Sequence, residues 1–465
     1  MTHTRTARSA AAPAGRTPPP GLRWRVPLLA LAAAVATAGA AHPVPAEAGT
    51  DPVVGALEEH AHPLRSTAPG GPLHDLRPLG RMVGDAPVVA LGEATHSSRE
   101  FFTMKHRAFR HLVRDKGFTT FGQELHVGAG LRFNDYVRTG KGDLRALMRD
   151  DPMWNTREYR DLFTWMREYN ERHPADKVQF MGNDIDYPSP ELFDRVTAYL
   201  REHEPALLPE IAGLYAGLRP DTDYTAWTAA YPDRPLAERT ERGKRAERAL
   251  ARLERAGAGA DPDAFDTAVH YARVVSQTYT MYAFDLADPA ELPKVLSHRD
   301  KAMADNTVWW HERTGHKMML SAHNGHVGYE WTGSEFPGSP AKPELQGAFL
   351  RDMLGERFVN AGFTFDRGAF NAYPDGGSEL TRHAVGPAAP GSNEHVLAAV
   401  RHPAYILDTR TLAEPARAWA GEARPTFGIG AAFPGPDGPL ATVALRRSYD
   451  IVIHLDRVRA ARLLP

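Results

Sequence analysis

Eight side chains able to move protons or carry charge fall at the ends of four apolar runs: Glu93 and His96, Glu124 and His126, Asp184 and Asp186, His323 and His326. The runs, residues 87–92, 118–122, 178–182 and 317–322, each read as a short buried strand. Parallel strands would bring all four ends to one edge of a sheet, where open α/β sheets bind their ligands. This mixture suits proton transfer. Imidazole titrates near neutral pH, and a neighbouring carboxylate fixes its tautomer and stabilises the imidazolium. His96, oriented by Glu93 or Glu124, reads as a general base acting on water, with a second histidine or a basic side chain steadying the oxyanion. His126, Asp184 and Asp186 read as caps or hydrogen-bond support for the others.

Two other chemistries use the same residues. A covalent route lacks its signature, since no Gly-x-Ser-x-Gly turn occurs. Ser97, directly after His96, reads instead as a cap on the following helix. Two carboxylates and two or three histidines are also ligands for zinc or manganese, so a divalent-metal hydrolase is the alternative to a cofactor-free one. No helical His-x-x-x-His supports the metal route, and the loop spacing His323-Asn324-Gly325-His326 does not identify a metal site.

The elements that must hold these groups follow from periodicity. Residues 98–116 form an amphipathic helix with Phe101, Phe102, Ala108, Phe109, Leu112 and Val113 on one side. Its basic residues, Lys105 and Arg107 among them, fall mostly elsewhere, and His106 and His111, like His316, read as surface residues. Gly117 is placed to end this helix. Strand, helix and strand over 87–122 then predict a βαβ unit with a parallel pair. Trp154 and Trp165 read as core. Residues 331–343, rich in Gly and Pro, predict a mobile loop beside the site. The expected fold is α/β: a central, mostly parallel sheet flanked by helices, with an all-helical insertion or cap. The expected division is a signal peptide at 1–48, a first part of the core at 49–188, the helical cap at 189–304 and the rest of the core at 305–465.

Composition bounds the function. The 465 residues are 42% hydrophobic and 24% charged with a formal net charge of −2, values of a folded enzyme without an electrostatic footprint for nucleic acid. The absence of cysteine removes disulfides, thiolate nucleophiles and cysteine-ligated zinc. Arg5, Arg8, Arg16, Arg23 and Arg25 precede an apolar run from Val26, and small residues around Ala38-Gly39-Ala40 or Ala46-Glu47-Ala48 would suit a signal peptidase. The expectation is export without stable membrane insertion, to a secreted or cell-surface location.

The motifs together resemble the erythromycin esterase family. They are Gly92-Glu93-Ala94-Thr95-His96, Glu100-Phe101, Gly117-Phe118 leading to Glu124, and Trp154-Asn155-Thr156-Arg157-Glu158. Trp165 to Asn170, Arg299-Asp300-Lys301-Ala302-Met303-Ala304-Asp305-Asn306 and Ala322-His323-Asn324-Gly325-His326-Val327-Gly328 complete the set. The resemblance implies hydrolysis of a macrolide lactone ester by activated water. It implies His96 as the base, Glu93 and Glu124 as its carboxylates and His323 as the downstream histidine. It also implies a functional arginine on the first helix, a position held here by Lys105, which keeps a charge but lacks the planar two-donor fork. Ser97 replaces the family's usual glycine. The expectation is therefore a small-molecule ester or lactone hydrolase with catalytic His96, Glu93, Glu124 and His323, and with Lys105 and His326 binding substrate or oxyanion. A catalytically lapsed binding or accessory protein on the same scaffold is the reading from another class.

Overall fold

The computed structural model describes residues 51–465 apart from 260, 334–335, 337–338, 375–376, 434 and 436–439. The expected signal peptide lies outside the described residues, as does part of the expected loop at 331–343.

Twelve strands are present among the described residues: β1 (His62–Pro63), β2 (Val88–Leu91), β3 (Phe118–His126), β4 (Gln179–Asp184), β5 (Lys317–Ser321), β6 (Phe358–Pro374), β7 (Thr381–Val385), β8 (Ala404–Asp408), β9 (Arg424–Thr426), β10 (Ala432–Phe433), β11 (Ala441–Val443) and β12 (Ile451–Val458). Ten form one sheet in the order β1-β8-β12-β6-β2-β5-β3-β4, with β7 and β10 added on β6. Every pairing from β12 through β4 is parallel, and β1, β8 and β7 pair antiparallel. This is the expected α/β sheet. Its central strands carry apolar residues on both faces: Val89 and Leu91 enter one core cluster, Val88 and Ala90 another. Burial on both faces is why these runs read as continuous rather than alternating.

One topological expectation is corrected. β2 and β3 run parallel but do not pair, because β5 lies between them and bonds to both. The helix Arg99–Lys116 connects them over that strand, and Gly117 ends it at φ 71° in the left-handed region. The end of β5 is thereby inserted between Glu93 and Glu124, which delivers His323 to the middle of the site.

The helix is also more enclosed than its pattern suggested. Lys105 and Arg107 are buried, as are His106 and His111, so these residues are not a solvated face. His106 packs on the Trp165 ring, and His111 lies against Gly80, where a Cβ would stand 2.9 Å from Nε2. Arg107 donates to the Ser66 carbonyl at 2.7 Å and to Asp75 at 2.5 Å. A 3.6 period identifies the most apolar face but cannot show that later chain covers the other side. His316 is half-buried against Thr120 at 3.1 Å.

Between β4 and β5 the described chain is helical: Pro190–His203, Leu208–Tyr215, Tyr224–Ala230, Leu236–Ala256, Pro262–Met281 and Leu292–Thr314, with short turns. Most of these helices share an apolar cluster of their own, including Trp227, Tyr279 and Tyr282. The last helix runs through position 304 and back to the sheet, where Asn306 Nδ2 donates to the Asn183 carbonyl at 2.9 Å.

Candidate functional site

The four strand ends do converge. β2, β5, β3 and β4 lie side by side and parallel, so Glu93, His323, Glu124 and Asp184 leave the same edge of the sheet. Gly92 permits the close approach on which this depends. A Cβ there would meet Asn324 Oδ1 at 2.1 Å and the Ala361 carbonyl at 3.2 Å. Asn324 cannot yield, because its amide spans Phe363, donating to the carbonyl at 2.7 Å and accepting from the N–H at 3.0 Å.

His96 is held from one side. Its Nδ1 lies 2.9 Å from Glu93 Oε1, and its Nε2 lies 3.9 Å from Glu124 Oε1. Two rings frame the imidazole: His323 at 5.0 Å between centroids and Trp154, edge-on, at 5.6 Å. The other oxygen of Glu93 accepts from Lys105 Nζ, which also donates to Ser321 Oγ at 2.9 Å and to the Ala322 carbonyl at 3.3 Å. Lys105 is 1% exposed, and burial lowers its pKa against the pull of Glu93.

A second group surrounds Glu124. Its Oε2 accepts the His323 backbone N–H at 2.8 Å, and its Oε1 lies 3.2 Å from His326 Nε2 and 3.3 Å from an Arg299 nitrogen. His326 Nδ1 meets Asp300 Oδ1 at 2.7 Å, and Asp300 Oδ2 accepts from the Gln346 backbone at 2.8 Å. Arg299 forks onto Asp184, with Nε on Oδ1 at 2.9 Å. Burial alone would raise the Glu124 pKa, but His326, His96 and Arg299 outweigh it and hold the carboxyl well below its usual range. Burial alone would likewise lower His326, yet Asp300 and Glu124 lift it to about 10, so this imidazole carries a positive charge at neutral pH.

His323 behaves oppositely. Burial and the neighbouring His96 push its pKa down to about 3, and its Nδ1 accepts the Gly325 N–H at 3.1 Å. It is therefore a neutral imidazole that also caps the short helix Asn324–Val327. His126, Asp184 and Asp186 support rather than face the centre. His126 Nδ1 accepts from the Ala129 N–H at 3.1 Å, capping the helix Val127–Thr139. Asp186 accepts from Tyr224 OH at 2.7 Å, and burial with the adjacent Asp184 raises its pKa well above the usual carboxylate range.

Ser97 is a correction. The residue at the helix N-cap is Ser98, and Ser97 Oγ instead accepts from Asn371 Nδ2 at 3.1 Å, pinning the loop to β6. The expected hydroxyl cap sat one residue early, and Ser98 makes no side-chain cap bond because its Oγ pairs with Thr95 at 2.6 Å. Trp154 is buried and Trp165 is half-buried within the core.

Arg299 and Asp300, which belong to the motif ending at Asn306, carry no local sign of their part in this group. Arg299 arrives 175 residues after Glu124, on the helix Leu292–Thr314, with Asp300 next to it. Only their place in the motif marked them, since an Arg-Asp pair within a helix ordinarily reads as a solvated face. Burial lifts the Asp151 carboxyl, which accepts the Met153 N–H at 3.1 Å, to about 7. Among the described residues no three or more His, Asp or Glu groups are arranged to hold a metal ion. The carboxylates that could have done so already face Lys105, Arg299 or His326.

A parallel α/β sheet with buried, charge-compensated carboxylates and histidines at its carboxyl edge defines the class. The erythromycin esterase family profile matches residues 113–458, and the chain belongs to that family. It is 27% identical over 334 residues to erythromycin esterase type II of Escherichia coli, covering 67% of this chain and 77% of that one. It is also similar to a succinoglycan biosynthesis protein of solved structure, with TM-score 0.77 and 29% identity, covering 89% of this chain and 98% of the other. The fold matches that of the erythromycin esterase mutant EreC in its open conformation, with TM-score 0.66 and 18% identity, over 86% of this chain and 98% of the other.

Proposed function

We propose that this protein hydrolyses a carboxylic ester or macrolide-type lactone using water activated by His96. The observation that carries the reading is the attachment of His96. With Nδ1 on Glu93, the proton sits on that nitrogen and the Nε2 lone pair faces the interior beside Glu124. In the reaction, Nε2 takes a proton from water as the water oxygen bonds to the ester carbonyl carbon. The carbonyl oxygen becomes an oxyanion, whose charge His326 and Arg299 offset through space, their N–H groups being bonded to Asp300, Glu124 and Asp184. Collapse breaks the bond to the leaving alkoxide, which takes the proton back from His96. One water is consumed, and an acid and an alcohol form.

Lys105 has a different part from the substrate contact expected of it. Its three partners lie under the site, so it neutralises Glu93 and leaves that carboxylate free to orient His96. His96 is buried, with the Trp154 ring edge-on to it and the Ile429 N–H bonded nearby to the Ala94 carbonyl at 2.8 Å. Export through the N-terminal segment is part of the same proposal.

The similarity to a succinoglycan biosynthesis protein favours a second substrate range, esters on carbohydrate rather than macrolide. A panel of macrolides, simple lactones, aryl esters and acylated sugars, assayed with the full chain, tests the proposal. Hydrolysis of at least one class is expected. Turnover of none would leave the lapsed, binding-protein reading in its place.

A further inference from the structure

A second polar feature lies apart from the His96 cluster. Where β6, β7 and β12 meet, an open groove of about 700 Å³ is lined by Arg367, Arg382, Arg457 and Arg459, with Gly368 and small apolar residues between them. Register produces the crowding. Arg457 on β12 stands directly opposite Arg367 on the parallel neighbour β6. Strands are spaced about 4.8 Å apart, and like charges facing each other across a ladder are unfavourable.

Two of the four arginines are compensated by neighbouring carboxylates and two are not. Glu100 is the single carboxylate in its lining, and both its oxygens are taken by Arg459, through the backbone N–H at 2.6 Å and Nε at 2.8 Å. Arg367 is answered by Asp366 and Asp456, each at 2.9 Å. Arg382 and Arg457 are exposed and make no ion pair or side-chain hydrogen bond among the described residues. A guanidinium presents a planar fork matched to carboxylate, phosphate and sulfate oxygens.

We infer that this groove binds a ligand bearing two or more oxyanion groups, gripped by Arg382 and Arg457. Phosphoryl and carboxyl carriers share that chemistry. Calorimetric titration of the full chain at low salt with tripolyphosphate in one arm and tetragalacturonate in the other distinguishes them. Saturable binding of at least one is expected, with affinity falling tenfold or more in the double variant Arg382→Gln/Arg457→Gln. The variant Arg201→Gln/Arg255→Gln, which removes equal charge from exposed, unpaired positions elsewhere, is expected to bind as wild type. Failure of both probes to bind, unchanged affinity in the groove variant, or equal loss in the control would overturn the inference.

Discussion

Glu93 Oε1 lies 2.9 Å from His96 Nδ1, and in the proposed reaction this contact leaves Nε2 as the nitrogen that takes the proton from water. The opposite oxygen of the same carboxylate is bonded by Lys105, so one buried side chain orients the His96 ring and depends on a cation from the following helix.

Removing that cation strands a carboxylate in a site where Glu93 is fully buried. Lys105→Met should destabilise the fold by about 3–5 kcal/mol, the usual cost of breaking a buried pair from one side. The double variant Glu93→Gln/Lys105→Met should recover part of that loss, because neither charge is then left alone. Urea unfolding of the three proteins checks this. Additive losses would show that the two residues act independently.

The pH dependence of stability should have an alkaline limb set by His326. Its folded pKa, about 10, lies above the ordinary 6.5 because Asp300 and Glu124 outweigh burial. The folded state therefore holds this proton more tightly than the unfolded chain does. The stabilisation is complete below pH 6.5 and is lost as pH rises through about 10. Wild type should lose stability across that window, and His326→Gln should flatten the slope. Urea midpoints measured through the window decide it; an unaltered slope in the variant would assign the effect elsewhere.

Metal removal should have no effect. Lys105, Arg299 and His326 already supply positive charge to Glu93, Asp184 and Glu124. Dialysis against a strong chelator is expected to leave ester hydrolysis unchanged. A loss restored by zinc or manganese would favour the metal-dependent route.

Arg299→Lys should impair activity and stability together, since a lysine cannot span both Asp184 oxygens and also reach Glu124. A fall of about 1–3 kcal/mol in unfolding free energy is expected, the range for buried groups that lose hydrogen bonds. Chemical denaturation beside the ester assay measures both.

This arginine also marks the limit of what the sequence discloses. The strand ends were legible because a short apolar run followed by an ionisable pair is a local pattern. Glu93, His96, Glu124 and His323 were readable in that way, and the parallel sheet followed from the strand–helix–strand order over 87–122. Arg299 and Asp300 sit within a long helix, and their burial depends on how that helix returns to β4. The same holds for His106, Arg107 and His111, whose enclosure comes from residues 66–80 and 165, and for Lys105, which is enclosed by Ser321 and Ala322, all distant along the chain. The insertion of β5 between β2 and β3 is likewise a long-range pairing that no local period records.

The most direct measurement is kcat/KM of His96→Ala on whichever ester the wild-type protein hydrolyses best, with circular dichroism and Tm taken on the same samples. A general base contributes about 10²–10⁴-fold, so a fall of that size with the fold retained is predicted. Activity equal to wild type in a folded His96→Ala protein would contradict the account.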